Sequence, residues 1–375
     1  MPEELLRQFC GDNMSQSSVQ RVRYPPFEQG HMDAGNLPIV EAIVTNGDVK
    51  IPDFKIGNED NWFVEWRQYK QEDEGISKID SQVSLDIPRF ISRSRNGWYV
   101  NPDPLHNLSR RLIFPTVSLV IISLFIHAIE PWLLDKNVIS TSFAGSVSLG
   151  PLDYPRLLLY SFPLFLMPLI FRTIANFRDM SRQNKIIDQK IDSPEIKISE
   201  NDSGIKISMI SYPESFIPIR SRLQVGVAVP ERDKVLDILG RKEDDQPSPG
   251  MSTKLPEKRI STVDEEGIGV GEATPMQLTT KRSVILEPFR IMTSGDWESV
   301  DNGTEEFEVL FPRKRWPGSI YSSLIAIHWE LIIEFHNENN ELIKWVKPLI
   351  ISQSEEPIHI TEAPVRSGRA ELSNY

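Results

Sequence analysis

Cysteine is nearly missing from this 375-residue chain: Cys10 is the single one. One thiol excludes an intrachain disulfide and a cysteine-based zinc cluster. Basic charge is also short. Against 53 acids stand 41 lysines and arginines, a net charge of −12, so a general affinity for nucleic-acid phosphates is not expected. Catalytic motifs are missing too. The sequence holds no Gly-x-Ser-x-Gly elbow and no Ser/Lys nucleophile motif. Its six histidines (His31, His106, His127, His328, His336 and His359) never fall in a His-x-x-x-His pair. We therefore expect no enzyme, no metal site, no cofactor and no nucleic-acid partner. Gly267, Gly269 and Gly271 have the spacing of a phosphate loop, yet no strand precedes them and no Gly-Lys-Ser follows. They read as linker, as do the acid triplets Glu243-Asp244-Asp245 and Asp264-Glu265-Glu266.

What the chain does have is two long apolar runs. The first extends from Leu112 to Leu134, and the second from Leu157 to Phe171, continuing through Arg172 to Phe177. Crossing about 30 Å of hydrocarbon takes roughly 20 residues, so the reading is a transmembrane hairpin over 110–177 with helices at about 112–134 and 155–177. Pro163 and Pro168 predict a kink in the second helix. The first run starts too far from the N-terminus for a signal peptide, so the preceding part is expected to be retained. Arg89, Arg93, Arg95, Arg110 and Arg111 precede the hairpin, and Arg172, Arg178, Arg182, Lys185 and Lys190 end or follow it. The intervening loop holds only Lys136 as a base. The positive-inside bias then places both termini in the cytoplasm of a two-span cell-membrane protein. On that topology the Asn-x-Ser/Thr sequons at Asn13, Asn107, Asn201 and Asn302 are chance matches. His127 and Glu130 lie three apart on the first helix and share a face, a speculative intramembrane pair for a proton or cation. The competing reading is that Glu130-Pro131-Trp132 marks the exit into water.

The flanks read as β-structure. Residues 1–36 and 353–375 look like disordered tails, and 37–104 like a small β-rich module with a hairpin at Asn46-Gly47. In 194–352, alternating strands are interrupted by a disordered insertion at about 240–281. The clearest run is Ile325, Ile327, Trp329, Leu331, Ile333 and Phe335, with His328, Glu330 and Glu334 on the opposite face. A period of two over eleven positions suits a strand and not a helix. The odd positions are expected in a core and the even ones in solvent. With Leu342–Ile351 as its partner strand, this gives an antiparallel β-sandwich.

The succession LQVGVAV, FEVLFP, SSLIAIHWELIIEF and KWVKPLII resembles the strand order of arrestin-like domains. That resemblance covers roughly 194–352 and implies one sandwich, without the polar core or receptor activation of true arrestins. Gly97-Trp98-Tyr99-Val100-Asn101-Pro102-Asp103-Pro104 resembles a GWYxDP-type segment found near membrane helices, with Asn101 and Pro102 inserted. It implies a rigid, interface-seeking connector. The function expected is a membrane-anchored, non-enzymatic adaptor presenting a cytoplasmic sandwich to a protein partner. The alternative is an accessory subunit of a transporter or sensor, acting through the hairpin. This topology is testable: a cysteine at Ser146 will react with an impermeant reagent on intact cells and one at Ser261 will not. Labelling of Ser261→Cys from outside reverses the orientation.

Overall fold

The computed structural model describes residues 17–23, 39–47, 49–57, 62–87, 96–140, 143–188, 191–229, 258–259, 276–277, 285–286, 291–301, 303 and 306–361. The chain forms two compact units. One is Pro102–Lys190; the other joins Met1–Asn101 to Ile191–Tyr375.

The first unit is the hairpin. Helix α1 runs over Pro104–Asp135 and α2 over Arg156–Asp188; between them strands Ser146–Leu149 and Leu152–Pro155 form an antiparallel ribbon. Both helices are long and apolar enough to cross a membrane. At 1.5 Å per residue each is about 50 Å long. They exceed the apolar runs for local reasons. Asp103 accepts the Leu105 N–H at 2.9 Å and Pro104 occupies the first helical position, so α1 starts at its cap instead of at Leu112. Beyond Phe177, α2 continues for three amphipathic turns. Hydroxyls inside the helices return to the preceding turn: Thr116 to Leu112 O at 2.7 Å, Ser123 to Leu119 O at 2.8 Å and Thr173 to Leu169 O at 2.9 Å. Each of these three hydroxyls thereby has an acceptor within its own helix. Phe114, Ile121 and Phe125 stand exposed.

The second unit is all β among its described residues, apart from one 3-10 turn at Gln71–Asp73. Before the hairpin come β1 (Ser17–Arg23), β2 (Ile39–Thr45), β3 (Phe54–Gly57), β4 (Trp62–Gln68), β5 (Lys78–Gln82) and β6 (Gly97–Val100). With the ribbon strands as β7 and β8, the chain continues after α2 with β9 (Glu195–Glu200), β10 (Gly204–Ser211) and β11 (Phe216–Ala228). Short pieces follow at Lys258–Arg259 (β12), Met276–Gln277 (β13) and Ile285–Leu286 (β14), the last two paired together. The series closes with β15 (Ile291–Ser294), β16 (Glu298–Ser299), β17 (Glu306–Leu310), β18 (Ile320–Tyr321), β19 (Ala326–Asn337), β20 (Leu342–Leu349) and β21 (Ile358–Ile360).

Three larger sheets result. The order β21-β3-β4-β1-β2-β5 is mixed, with parallel pairs β2–β5 and β21–β3. Phe54 stacks on Trp66 at 5.7 Å in its core, beside Val22, Val44 and Val64. The other two are antiparallel: β17-β10-β9, and β12-β6-β20-β19-β11-β15 with β16 and β18 added alongside. Phe311 meets Trp329 edge-on at 5.5 Å and Tyr212 lies 6.3 Å from Phe335, so the odd face of β19 looks onto the three-stranded sheet. Ile325, Ile327, Leu331, Ile333 and Phe335 have no accessible surface. Trp329 is 2% exposed and its indole N–H donates to Pro317 O at 2.9 Å.

Several expected boundaries move. Ser17–Arg23 falls in the expected N-terminal tail, yet β1 sits inside a sheet, between β4 and β2. Its alternation is hidden by polar residues such as Gln20 and Arg21. Arg21 lies opposite Glu41 and Glu65 and pairs with both, at 3.2 and 2.7 Å. Ile358–Ile360, in the expected C-terminal tail, pairs with β3. Residues 1–16, 24–36 and 362–375, and all of 240–281 except β12 and β13, lie outside the described residues. Asn46-Gly47 does not turn a hairpin, because the neighbours of β2 are β1 and β5; Asn46 instead takes a hydrogen bond from Ser18 Oγ at 2.6 Å. Gly97–Val100 is no connector. It is β6, hydrogen-bonded to β20 in the largest sheet, so the expected 37–104 module loses its last strand to the far half of the chain.

The even face of β19 is the largest departure. His328, Glu330 and Glu334 are 1–2% exposed, not open to solvent. The strand is therefore buried on both sides. Trp329→Ala will cost about 3–5 kcal/mol. His328→Ala will cost about 1–3 kcal/mol, because it strands the groups His328 now satisfies. Urea melts of the full chain in detergent measure both; a cost below about 0.5 kcal/mol for His328→Ala would return that face to solvent.

Candidate functional site

Three polar clusters stand out, two in the hairpin and one in the β unit. Asp179, on α2, is 2% exposed. Its Oδ1 accepts the Asp103 N–H at 3.0 Å and its Oδ2 lies 3.0 Å from His106 Nε2. Arg182 stands 3.8 Å from Asp179, and Arg178 stands 3.8 Å from Asp103. One turn further along α1, Ser109 Oγ donates to Pro168 O at 2.7 Å. A carboxylate this deeply buried needs such partners to offset its lost hydration. The same contacts fasten the first turn of α1 to the polar end of α2.

The predicted pair His127 and Glu130 is brought together: Nδ1 lies 3.0 Å from Oε2. The helix runs through Pro131 to Asp135, and Glu130 is only 6% exposed. Its Oε2 also accepts the Gly145 N–H at 3.1 Å, while Gly145 O accepts the N–H of Arg156, the first residue of α2, at 3.0 Å. Gly145 holds φ +96°, a conformation that favours glycine. Glu130 thus links α1 to the start of α2 through one glycine, and its Oε1 is buried without a hydrogen-bond partner.

In the β unit the even face of β19 carries two groupings. The Tyr321 hydroxyl lies 2.9 Å from His328 Nδ1, and His328 Nε2 lies 3.2 Å from Glu330 Oε1. Burial, and secondarily the Glu330 charge, push the Tyr321 phenol far above its ordinary range. Glu334 accepts from Arg220 Nε at 2.5 Å and lies 3.6 Å from Lys344 Nζ. Trp297 takes the guanidiniums of Arg220 and Arg222 against its ring, at 4.4 and 4.3 Å. Beside β18, Ser322 Oγ donates to Gln20 Oε1 of β1, and Ser84 and Tyr321 exchange two backbone hydrogen bonds of 2.9 Å. These tie the mixed sheet to the largest one. An open groove of about 370 Å³ follows β21, between Lys314–Arg315 and Pro357–Thr361.

Among the described residues no group of three or more His, Cys, Asp and Glu side chains could hold a metal ion. No family model matches the sequence, and neither a curated protein nor a solved structure matches it.

Sequence reasoning missed the Asp103–His106–Asp179 clamp. Asp103-Pro104 is a visible cap signature, but nothing near Asp179 in the sequence names its partner 76 positions away. Asp179→Ala will cost about 3–5 kcal/mol, because it leaves His106 and the Asp103 N–H buried without an acceptor. Asp179→Asn keeps one acceptor oxygen and will cost less. Glu130→Ala, which frees one backbone N–H, will cost about 1–3 kcal/mol. Titration of the full chain with a denaturing detergent, followed by circular dichroism, ranks the three; equal midpoints would remove the clamp.

Proposed function

We propose that the protein is a membrane-anchored, non-enzymatic adaptor whose hairpin spans the bilayer and whose β unit, read as an arrestin-like sandwich with an added N-terminal sheet, meets a protein partner in the cytoplasm. One observation carries the reading. The β unit is assembled from both flanks of an apolar hairpin, since β6 pairs with β20 and β21 with β3. A unit joined in this way cannot be divided by a bilayer, so it is tethered at two points on one side. The basic flanks favour the cytoplasmic side.

The groove along β21 supports the adaptor role. This strand is the end of its sheet, and an end strand beside a groove is where an extended segment can add. The alternative, an accessory subunit acting through the helices, draws on the exposed apolar side chains of α1 and α2.

A photo-crosslinking residue in the full-length protein separates the two. Placed at His359 in the groove, it will give a discrete adduct in cells; placed at exposed Phe125 on α1, it will give none beyond lipid. The reverse pattern would select the accessory subunit.

A further inference from the structure

The end of the hairpin that carries the clamp has two surface features that the adaptor reading leaves unused. The first is apolar. Ile174, Phe177 and Met180, at the end of the apolar run of α2 and just past it, are exposed by 39, 63 and 49%. Their i, i+3, i+6 spacing keeps them within one broad sector of the helix. The second is basic. Arg178, Arg182 and Lys185, at i, i+4 and i+7, form a stripe beside that sector. On α1, exposed Arg111 stands between exposed Leu108 and Phe114 in the same alternating way. The nearby acids Asp103 and Asp179 are turned inward, 8 and 2% exposed, inside the clamp. Exposed Asp188, at the end of α2, stands against exposed Arg111, Arg178 and Lys185, so cations outnumber acids in what this end presents outward.

We propose that this collar binds the headgroups of anionic phospholipids. The inference rests on the membrane-spanning reading of the hairpin. The combination of features selects the occupant. An acidic protein or a nucleic acid would answer the arginines and leave Phe177 and Met180 wet. A lipid interface answers both, because the apolar side chains sink to the acyl boundary while long basic side chains reach the phosphates. Each cation near an anionic surface adds about 1 kcal/mol of attraction, about a fivefold change in affinity. The clamp holds the first turns of α1 against α2, so cations from both helices meet the surface together.

The test uses the full-length protein in nanodiscs of phosphatidylcholine, with or without phosphatidylglycerol, read as the thermal midpoint. Phosphatidylglycerol will raise the midpoint, and about 1 M salt will cancel the rise. The variant Arg111→Gln/Arg178→Gln/Lys185→Gln will lose the rise and bind phosphatidylglycerol at least about tenfold more weakly. The matching lysine version, Arg111→Lys/Arg178→Lys, will keep the rise even if its own midpoint is lower. An equal rise in the glutamine variant, or none in the wild type, overturns the proposal. Alkaline extraction of membranes separates this failure from the larger one. Release of the chain overturns the hairpin reading and the collar with it; retention without a phosphatidylglycerol effect overturns the collar alone.

Discussion

The pairing of Gly97–Val100 with β20 is the constraint on which the β unit depends. Trp98, at 2% exposure, stacks on Phe216 at 5.1 Å and meets Phe335 edge-on at 5.3 Å. Three strands from both sides of the hairpin thus share one aromatic knot. Such ring pairs contribute about 0.5–1.5 kcal/mol each beyond their buried area. The hairpin is in effect an insertion between two strands of a closed β unit. Only Asn101 and Pro102 separate the last residue of β6 from the cap of α1.

A strand buried on both faces has an unusual energetic problem, and β19 meets it with charge. Glu334 sits between Arg220 and Lys344, one from each neighbouring strand. A buried ion pair adds little net stability over an apolar isostere, but losing one partner is costly. The consequence is register. A slip of one residue against β11 or β20 would carry Glu334 onto the face of Trp329 and expel Phe335 from the aromatic knot. The polar row therefore specifies alignment while the odd row supplies burial.

That division explains what could be read in the amino-acid order. The odd row was plain because six apolar residues at a period of two have one reading. The even row looked solvent-facing because His328, Glu330 and Glu334 have the same letters whether they face water or partners on β11 and β20. Cross-strand partners such as Arg220 and Lys344 lie 114 and 10 positions from Glu334, beyond any local pattern. The two apolar helices were plain from length alone, whereas their polar ends were not: α1 begins at a capped proline and α2 ends in an amphipathic stretch. Short strands failed for a third reason. Ile358–Ile360 is too brief to show a period, and β1 carries its burial in Ser18 and Gln20 as much as in Val19 and Val22. His127 and Glu130 meet at the i, i+3 spacing of a helix, but Gly145, which completes that contact, is brought in by a turn no period describes.

The split β unit also sets an order of events during synthesis. Val100 pairs with Ile343, which is made 243 residues later. At about 5–20 residues per second, β6 waits roughly 12–50 s for its partner strand. The apolar helices leave the ribosome inside that interval, so the hairpin is complete before the β unit closes. The mixed sheet likewise stays open at β3 until β21 emerges. The nascent chain therefore passes through a state with a finished hairpin and exposed strand edges, and its folding yield is tied to whatever shields those edges.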